Sequence, residues 1–370
     1  MFQYRIYPTK KQASLLKLTL EECRWLYNET LAYRKNAWEQ EQTSVDWYDS
    51  KARIPLLKQD RPSLKLVHSQ VLQNVTERVE LALRAFFRRI KAGDTPGYPR
   101  FKGEGRYDSF TYSQSGFALH KERLVLSKVG HIKIILHRPL RGKIKTLTIQ
   151  RSATGKWYAC FSVECDPERL PDVPSQVGID VGLNTFAMLS TAEKIDNPRF
   201  FRQEEKALAK AQRHAAKEKE CVSERKEKFK VVARVHERIG FRRDNFSHQK
   251  SRTIVDRFGV ICVEDLYIKR MTRNHCLAKS IHDAAWSEFF SKLSYKAEEA
   301  GRKFVKVNPA YTSQTCSRCG HRQVMPLSKR LFTCPDCSLE LDRDINASLN
   351  ILSVGLHTLG IQPEEAPIFT

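Results

Sequence analysis

Two apolar runs in this chain end in a carboxylate: VGID closes on Asp180 and GVICVE on Glu264. Such a run reads as a strand of a buried sheet with its acid at the rim, where desolvation is costly unless a cation offsets it. A third acid, Asp344 in LDRDINASLNIL, opens a final helix through Asn346, Leu349 and Ile351. Each is a weak signal alone, because an acid at a strand end is commonly a cap or turn residue. Together they predict a divalent-metal site. Oxygen ligands with no nearby histidine suit Mg²⁺ or Mn²⁺, two of which clamp the attacking and leaving oxygens of a phosphodiester in hydrolysis. Asp265 and Asp342 stand close enough in sequence to compete for the ligand positions.

Between the second and third acids lie Cys316-Ser-Arg-Cys319 and Cys334-Pro-Asp-Cys337, separated by fourteen residues. Two matched C-x-x-C pairs flanking a hairpin-sized segment argue for one tetrahedral Zn²⁺ over a redox dithiol. Four thiolates leave no open position, so the metal is structural, buttressing the acidic edge, with Arg318 and Arg322 able to touch substrate. The other six cysteines (Cys23, Cys160, Cys165, Cys221, Cys262, Cys276) are scattered singly, as small buried hydrophobes in a reducing compartment are.

Charge indicates the partner. With 64 Lys+Arg against 42 Asp+Glu, a net charge of +22 must attract a polyanion. No run of 18 apolar residues exists, and MFQYRIYPTKKQ lacks the apolar core of a signal peptide. Nucleic acid is therefore preferred to a membrane surface, in a cytoplasmic, nucleoid-associated protein. Length of 370 residues suffices for two or three domains.

Phe2, Tyr4 and Ile6 alternate as in a strand. Thr9 and Gln12 then have capping-box spacing, and Leu16, Leu20, Cys23, Tyr27 and Leu31 recur at helical intervals. A second helix is expected from Ser69 to Lys91, with Arg84, Arg88, Arg89 and Lys91 beside Phe86 and Phe87. In 96–112, Tyr98, Phe101, Tyr107, Phe110 and Tyr112 interleave with Arg100, Lys102 and Arg106, a composition for stacking on bases and holding phosphates. HIKIIL, KTLTIQR and KWYACFSV read as strands of a small antiparallel barrel completed by the N-terminal strand, with residues 10–95 inserted in it. DPERLPDVPS, 166–175, reads as a linker. Beyond it a charge-dense pair of helices, with Phe229, Val232, Val235 and Ile239 on one face, is expected over the sheet of an α/β domain.

RIYPTKKQ, PGYPRFK, GIDVGLN, VEDL, YTSQTCSRCG, CPDC and DRDINASLNI, in this order, resemble the transposon-encoded TnpB family, relatives of the compact type V CRISPR effectors. The resemblance spans essentially the whole chain. It implies a multi-domain α+β protein: a wedge (OB-like) β-barrel (1–9 and 96–165), an inserted helical recognition domain (10–95), a linker (166–175), an RNase H-like RuvC nuclease domain (176–309 and 342–361), an inserted zinc ribbon (310–341) and a tail (362–370). It also implies an RNA-guided DNA endonuclease, monomeric in its ribonucleoprotein, whose guide comes from the transposon end and whose cut lies beside a short target-adjacent motif. The catalytic acids then fall on Asp180, Glu264 and Asp344, holding two Mg²⁺, with one Zn²⁺ on Cys316, Cys319, Cys334 and Cys337.

Residues placed for the motif are Ser69, Gln70, Gln73, Ser113 and Gln114. A basic and aromatic surface including Arg84, Arg88, Arg100, Lys102, Tyr112, Lys143, Lys145 and Arg151 would cradle nucleic acid. Two departures from the family pattern are Ser338, where glycine is usual, and Ser348, where alanine is common. Competing readings are an RNA-guided repressor without catalysis, which the intact acids oppose, a plain metal-dependent nuclease, and a cut-and-paste transposase. The last predicts acids in another order and an N-terminal helix-turn-helix, neither of which is read here.

One zinc per chain is expected by elemental analysis, and Cys316→Ser or Cys334→Ser should cost folding of the C-terminal half, since structural zinc supplies folding free energy.

Overall fold

A computed structural model describes residues 1–217, 223–326 and 329–362. Cys221 and most of the 362–370 tail thus lie outside the described residues. The contacts divide the chain into Met1–Asp166 and Pro167–Thr370.

In the first unit, β1 (Phe2–Tyr7) leads into α1 (Lys10–Glu41). Thr9 and Gln12 form the reciprocal capping box: the Thr9 hydroxyl accepts from the Gln12 N–H (3.3 Å), and Gln12 Oε1 from the Thr9 N–H (2.9 Å). Two short helices, α2 (Trp47–Ala52) and α3 (Ile54–Asp60), precede α4 (Ser69–Lys91). Leu16, Leu20, Cys23, Tyr27 and Leu31 of α1 and Val71, Leu72, Val75, Val79 and Leu83 of α4 share one core with the sheet.

That sheet continues with β2 (Ser109–Tyr112), β3 (Phe117–His120), β4 (Arg123–Leu126), β5 (Gly130–Ile135), β6 (Lys143–Arg151) and β7 (Trp157–Glu164). It is antiparallel, in the order β2-β6-β7-β1-β5-β4-β3. The N-terminal strand is therefore central, paired on both sides, rather than a closing edge. Three strands, β2 to β4, were not anticipated, and β2 corrects the reading of residues 96–112. Alternation along it turns Phe110 and Tyr112 into the core, and Tyr107 is buried too. Burying each ring is worth about 1.5–3 kcal/mol, which an open stacking surface would forgo. Only Tyr98 and Phe101 of the five remain exposed.

The second unit begins with β8 (Gln176–Val181), β9 (Thr185–Leu189) and β10 (Lys194–Asp196). The hairpin α5 (Phe200–Ala216) and α6 (Ser223–Arg257) follows, then β11 (Val260–Glu264), α7 (Ile268–Met271), α8 (His275–Ala284), α9 (Trp286–Ala300) and β12 (Lys303–Val307). The small ladder β13 (Leu331–Thr333) and β14 (Glu340–Asp342) precedes α10 (Arg343–Leu359). The main sheet runs β10-β9-β8-β11-β12, parallel across β8, β11 and β12. Residues 167–175 form no helix or strand and belong to the second unit: the Leu170 N–H donates to the Ala300 carbonyl (3.1 Å) and Arg302 to the Pro171 carbonyl (2.7 Å).

The helical pair sits differently from expectation. Val232, Val235 and Ile239 pack with Leu208 and Ala215 of α5 in a cluster of their own, and Phe229 is exposed. Ile254 and Val255, late in α6, join the sheet core. Of the single cysteines, Cys23, Cys160 and Cys262 are buried as expected, whereas Cys165 and Cys276 are exposed.

Strand parity assigns the two faces. Val177, Ile179, Ile261 and Val263 pack with α6 and α9, while Val260 and Cys262 pack with Ile351 and Leu356 of α10. The α10 face is pressed close by two glycines. A Cβ on Gly178 would overlap the Ser348 carbonyl and Leu352 backbone, and one on Gly355 would overlap the Cys262 sulfur. Ser348 is itself buried, its hydroxyl donating to the Ile345 carbonyl (2.7 Å). Gly178→Ala should therefore destabilise the second unit by about 1–3 kcal/mol, because the clashing atoms are backbone and cannot rotate away. Calorimetry should register this as a lower Tm, by about 2–4 °C per kcal/mol.

Candidate active site

Parity also places the acids. Gly178 pairs with Cys262 in the parallel register, and both face α10. Asp180 and Glu264 lie two residues on in each strand, so both carboxylates project from adjacent strands toward α10, about 5 Å apart at the backbone. Burial pushes the Asp180 carboxyl well above the ordinary aspartate range, and the charges of Glu264 and Asp344 push it further, against Arg343 and the Val181 N–H. Glu264 is also raised by burial, partly offset by a 2.7 Å hydrogen bond from the Thr312 hydroxyl.

Asp344 stands in the first turn of α10, where the helix dipole favours an anion. Its two oxygens accept from different guanidinium groups, Arg343 (3.3 Å) and Arg330 (3.4 Å). The rival acids are employed elsewhere. Asp342 caps α10, accepting from the Asp344 N–H (2.8 Å) and Ile345 N–H (3.3 Å). Asp265 is 65% exposed and pairs with Lys306 at 3.6 Å. Neither is among the charges that raise Asp180.

The four cysteine sulfurs lie within 4.8 Å of one another, with Cys316–Cys337 at 3.6 Å and Cys319–Cys334 at 3.5 Å. Tetrahedral Zn–S bonds of about 2.3 Å set sulfurs roughly 3.8 Å apart, whereas a disulfide needs about 2.05 Å, so the donor set fits zinc. The two turns repeat each other. The Cys316 N–H donates to the His321 carbonyl (2.8 Å) as the Cys334 N–H does to that of Leu339 (2.8 Å). Likewise the Gly320 N–H returns to the Cys316 carbonyl (3.0 Å) and the Ser338 N–H to that of Cys334 (3.1 Å). Gly320 has φ +79° and Ser338 φ +56°, so the departure at Ser338 puts a side chain where its twin has none. His321 and Asp336 bridge the turns at 2.6 Å.

Asn346 and Asn350, one turn apart on α10, clasp the first knuckle. Asn346 bonds the Thr315 carbonyl (2.8 Å) and Ser317 N–H (2.9 Å), and Asn350 the carbonyls of Thr312 (2.8 Å) and Thr315 (2.6 Å). Thr312, Arg330, Arg343 and Asn350 were not picked out from the sequence. The asparagines at i and i+4 of one helix were the available signal.

The residues expected to touch nucleic acid belong to the first unit. Ser69, Gln70 and Gln73 lie in the first turns of α4, and Gln70 is joined to the loop at 113–115. Gln70 Oε1 accepts from the N–H groups of Gln114 (3.0 Å) and Ser115 (2.7 Å), so it cannot also read a base edge bidentately. Tyr112 is 2% exposed and offers no stacking face. Arg88, Arg100 and Lys143 are exposed, as is Arg84, paired to Glu80 (2.6 Å). Lys145 pairs with Glu164 (2.5 Å), Lys102 lies over the Tyr27 ring and Arg151 over that of Trp157.

Three family models match the chain: "Helix-turn-helix domain" at 1–43, "Probable transposase" at 160–275 and "Cas12f1-like, TNB domain" at 286–351. The first runs against the expectation of no such N-terminal motif, although the residues it covers form a strand and one unbroken helix. A Streptomyces pristinaespiralis protein described as "Putative RNA-guided DNA endonuclease" is 35% identical, over 98% of this chain and 92% of its own. Escherichia coli K12 InsQ, with the same description, is 28% identical over 96% and 92%. A structure titled "Cryo-EM structure of the Cas12f1-sgRNA-target DNA complex" has the same fold, with a TM-score of 0.61 at 15% identity over 93% of this chain and 83% of that one. The chain belongs to the TnpB family.

Ser338→Gly should relieve about 1–2 kcal/mol of left-handed strain while adding about 0.5–1 kcal/mol of chain entropy to the unfolded state. The expected net gain is up to about 1 kcal/mol, read as slower zinc loss to a chelator and a higher Tm.

Proposed function

We propose that the chain is an RNA-guided DNA endonuclease that hydrolyses target DNA beside a short target-adjacent motif. What supports this reading is that Asp180 and Glu264 lie on the α10 side of adjacent strands, with Asp344 in the first turn of α10, and that the charges of Glu264 and Asp344 add to burial in raising the Asp180 carboxyl. Carboxylates grouped on one side of a partly buried sheet repel one another, and hard divalent cations are the natural compensation. The second unit is then a RuvC-type nuclease domain (176–309 and 342–361) carrying a zinc ribbon (310–341). The first is a wedge barrel (1–9 and 96–165) with a helical recognition domain (10–95).

Asp180, Glu264 and Asp344 would hold two Mg²⁺, which when bound supply an activated water and stabilise the leaving oxygen. Arg330 and Arg343, already seated on a carboxylate, are donors with the fork geometry for a phosphate. Asp342 serves as the cap of α10, at its first turn, and holds no metal. Cys316, Cys319, Cys334 and Cys337 hold zinc and keep that turn in place.

The +22 charge favours a guide RNA from the transposon end as a constant part of a monomeric particle in the cytoplasm, with target sequence delegated to base pairing. Arg84, Arg88, Arg100 and Lys143 would meet phosphates. With Gln70 engaged, motif reading rests on Ser69, Gln73, Ser113 and Gln114.

Asp180→Ala, Glu264→Ala and Asp344→Ala should each abolish Mg²⁺-dependent cleavage while guided binding persists. Asp342→Ala should lose only a cap, about 1 kcal/mol, and keep cutting. Changing only the guide's terminal segment should move the cut to the matching DNA. Cleavage by Asp344→Ala beside a dead Asp342→Ala, or equal cutting without RNA, would sink the reading.

A further inference from the structure

We propose that Thr312 is a positioning residue for Glu264, and that Asn350 ties its place to the first cysteine knuckle. The proposal rests on the metal-holding reading of the acids.

Thr312 is buried between two obligations. Its hydroxyl donates to Glu264 Oε1 (2.7 Å) and lies 3.2 Å from the Pro309 carbonyl, while its own carbonyl accepts from Asn350 (2.8 Å). Tyr311, the residue before it, has φ +68°, uncommon for a bulky side chain. Its carbonyl accepts from the N–H groups of Gln314 (2.9 Å) and Thr315 (3.0 Å) and from the Thr315 hydroxyl (3.0 Å), closing the turn that aims Thr312. From Glu264 the connection runs through Thr312 to Asn350, then to Thr315 and its neighbour Cys316.

A glutamate has three rotatable bonds, and burial alone does not choose among its rotamers. A hydroxyl on Oε1 fixes the carboxylate plane and leaves Oε2 free for a cation. Removing such an outer hydrogen bond commonly costs 10–100-fold in metal affinity. Were Thr312 only filling space, valine, which matches its shape, would serve equally.

The test is Mn²⁺ binding to the full chain with its guide RNA, followed by electron paramagnetic resonance and taken as the excess over Asp180→Asn. Thr312→Val should weaken that excess binding about 10–100-fold and raise the Mn²⁺ needed for half-maximal cleavage by the same factor, with Thr312→Ser close to wild type. Zinc content and guide affinity should not change. Unaltered Mn²⁺ affinity in Thr312→Val, with Asp180→Asn defective, would overturn the assignment alone. If Asp180→Asn binds Mn²⁺ as wild type does, the acid centre itself fails and Thr312 with it. Zinc loss or unfolding in Thr312→Val would also overturn it, since the hydroxyl would then serve the knuckle.

Discussion

The approach of the last helix to the sheet governs the second unit. Gly178 on β8 and Gly355 on α10 remove the two Cβ atoms that would hold helix and strand apart, so backbone meets backbone at one point and sulfur meets backbone at the other. Side-chain packing on a sheet tolerates repacking, but contacts of this kind do not. The depth of α10, and therefore of the acid in its first turn, is set by glycines that never touch the acids.

Electrostatics opposes what packing enforces. Asp180, Glu264 and Asp344 are brought toward one another where water is partly excluded, and the protein answers with cations: Arg343 and Arg330 share Asp344, and Arg343 also eases Asp180. Arg330 lies beside β13 and sends its carbonyl to the Arg343 N–H (2.7 Å). The segment between the two cysteine pairs thus supplies a counter-charge to the acids. Removing one member of such a group unbalances the remainder, so the acids and arginines act as a set.

Strands β8 and β11 were legible as apolar runs with an acid at the rim, although either acid alone reads equally well as a cap or turn residue, and the cysteines were legible because their spacing has one dominant use. That Asp180 and Glu264 share a face follows from the register of Gly178 with Cys262, which the strand pattern alone does not give. The choice between Asp342 and Asp344 was not legible locally. Both are aspartates at a helix start, and only the cap bonds at Asp342 separate them. β2 was missed because four residues of alternation inside an aromatic and basic stretch look the same whether the rings stack on bases or on a core. Tyr112 and Phe229 failed in opposite directions for one reason: which face is covered depends on distant elements, in one case a sheet partner and in the other the seating of α5. Thr312 was invisible because its role follows from a left-handed Tyr311, which nothing in YTSQ announces.

The order of the acids along the chain has a consequence during synthesis. Asp180 and Glu264 leave the ribosome well before α10, whose glycine contact seats it on the sheet with Asp344 in its first turn. Domains fold as units from the N-terminal side, so the basic first unit can fold and gather a polyanion while the nuclease half is unfinished. On the proposed reading, a nascent or truncated chain holds nucleic acid before its acid centre is complete. The third acid is seated only when the last helix is.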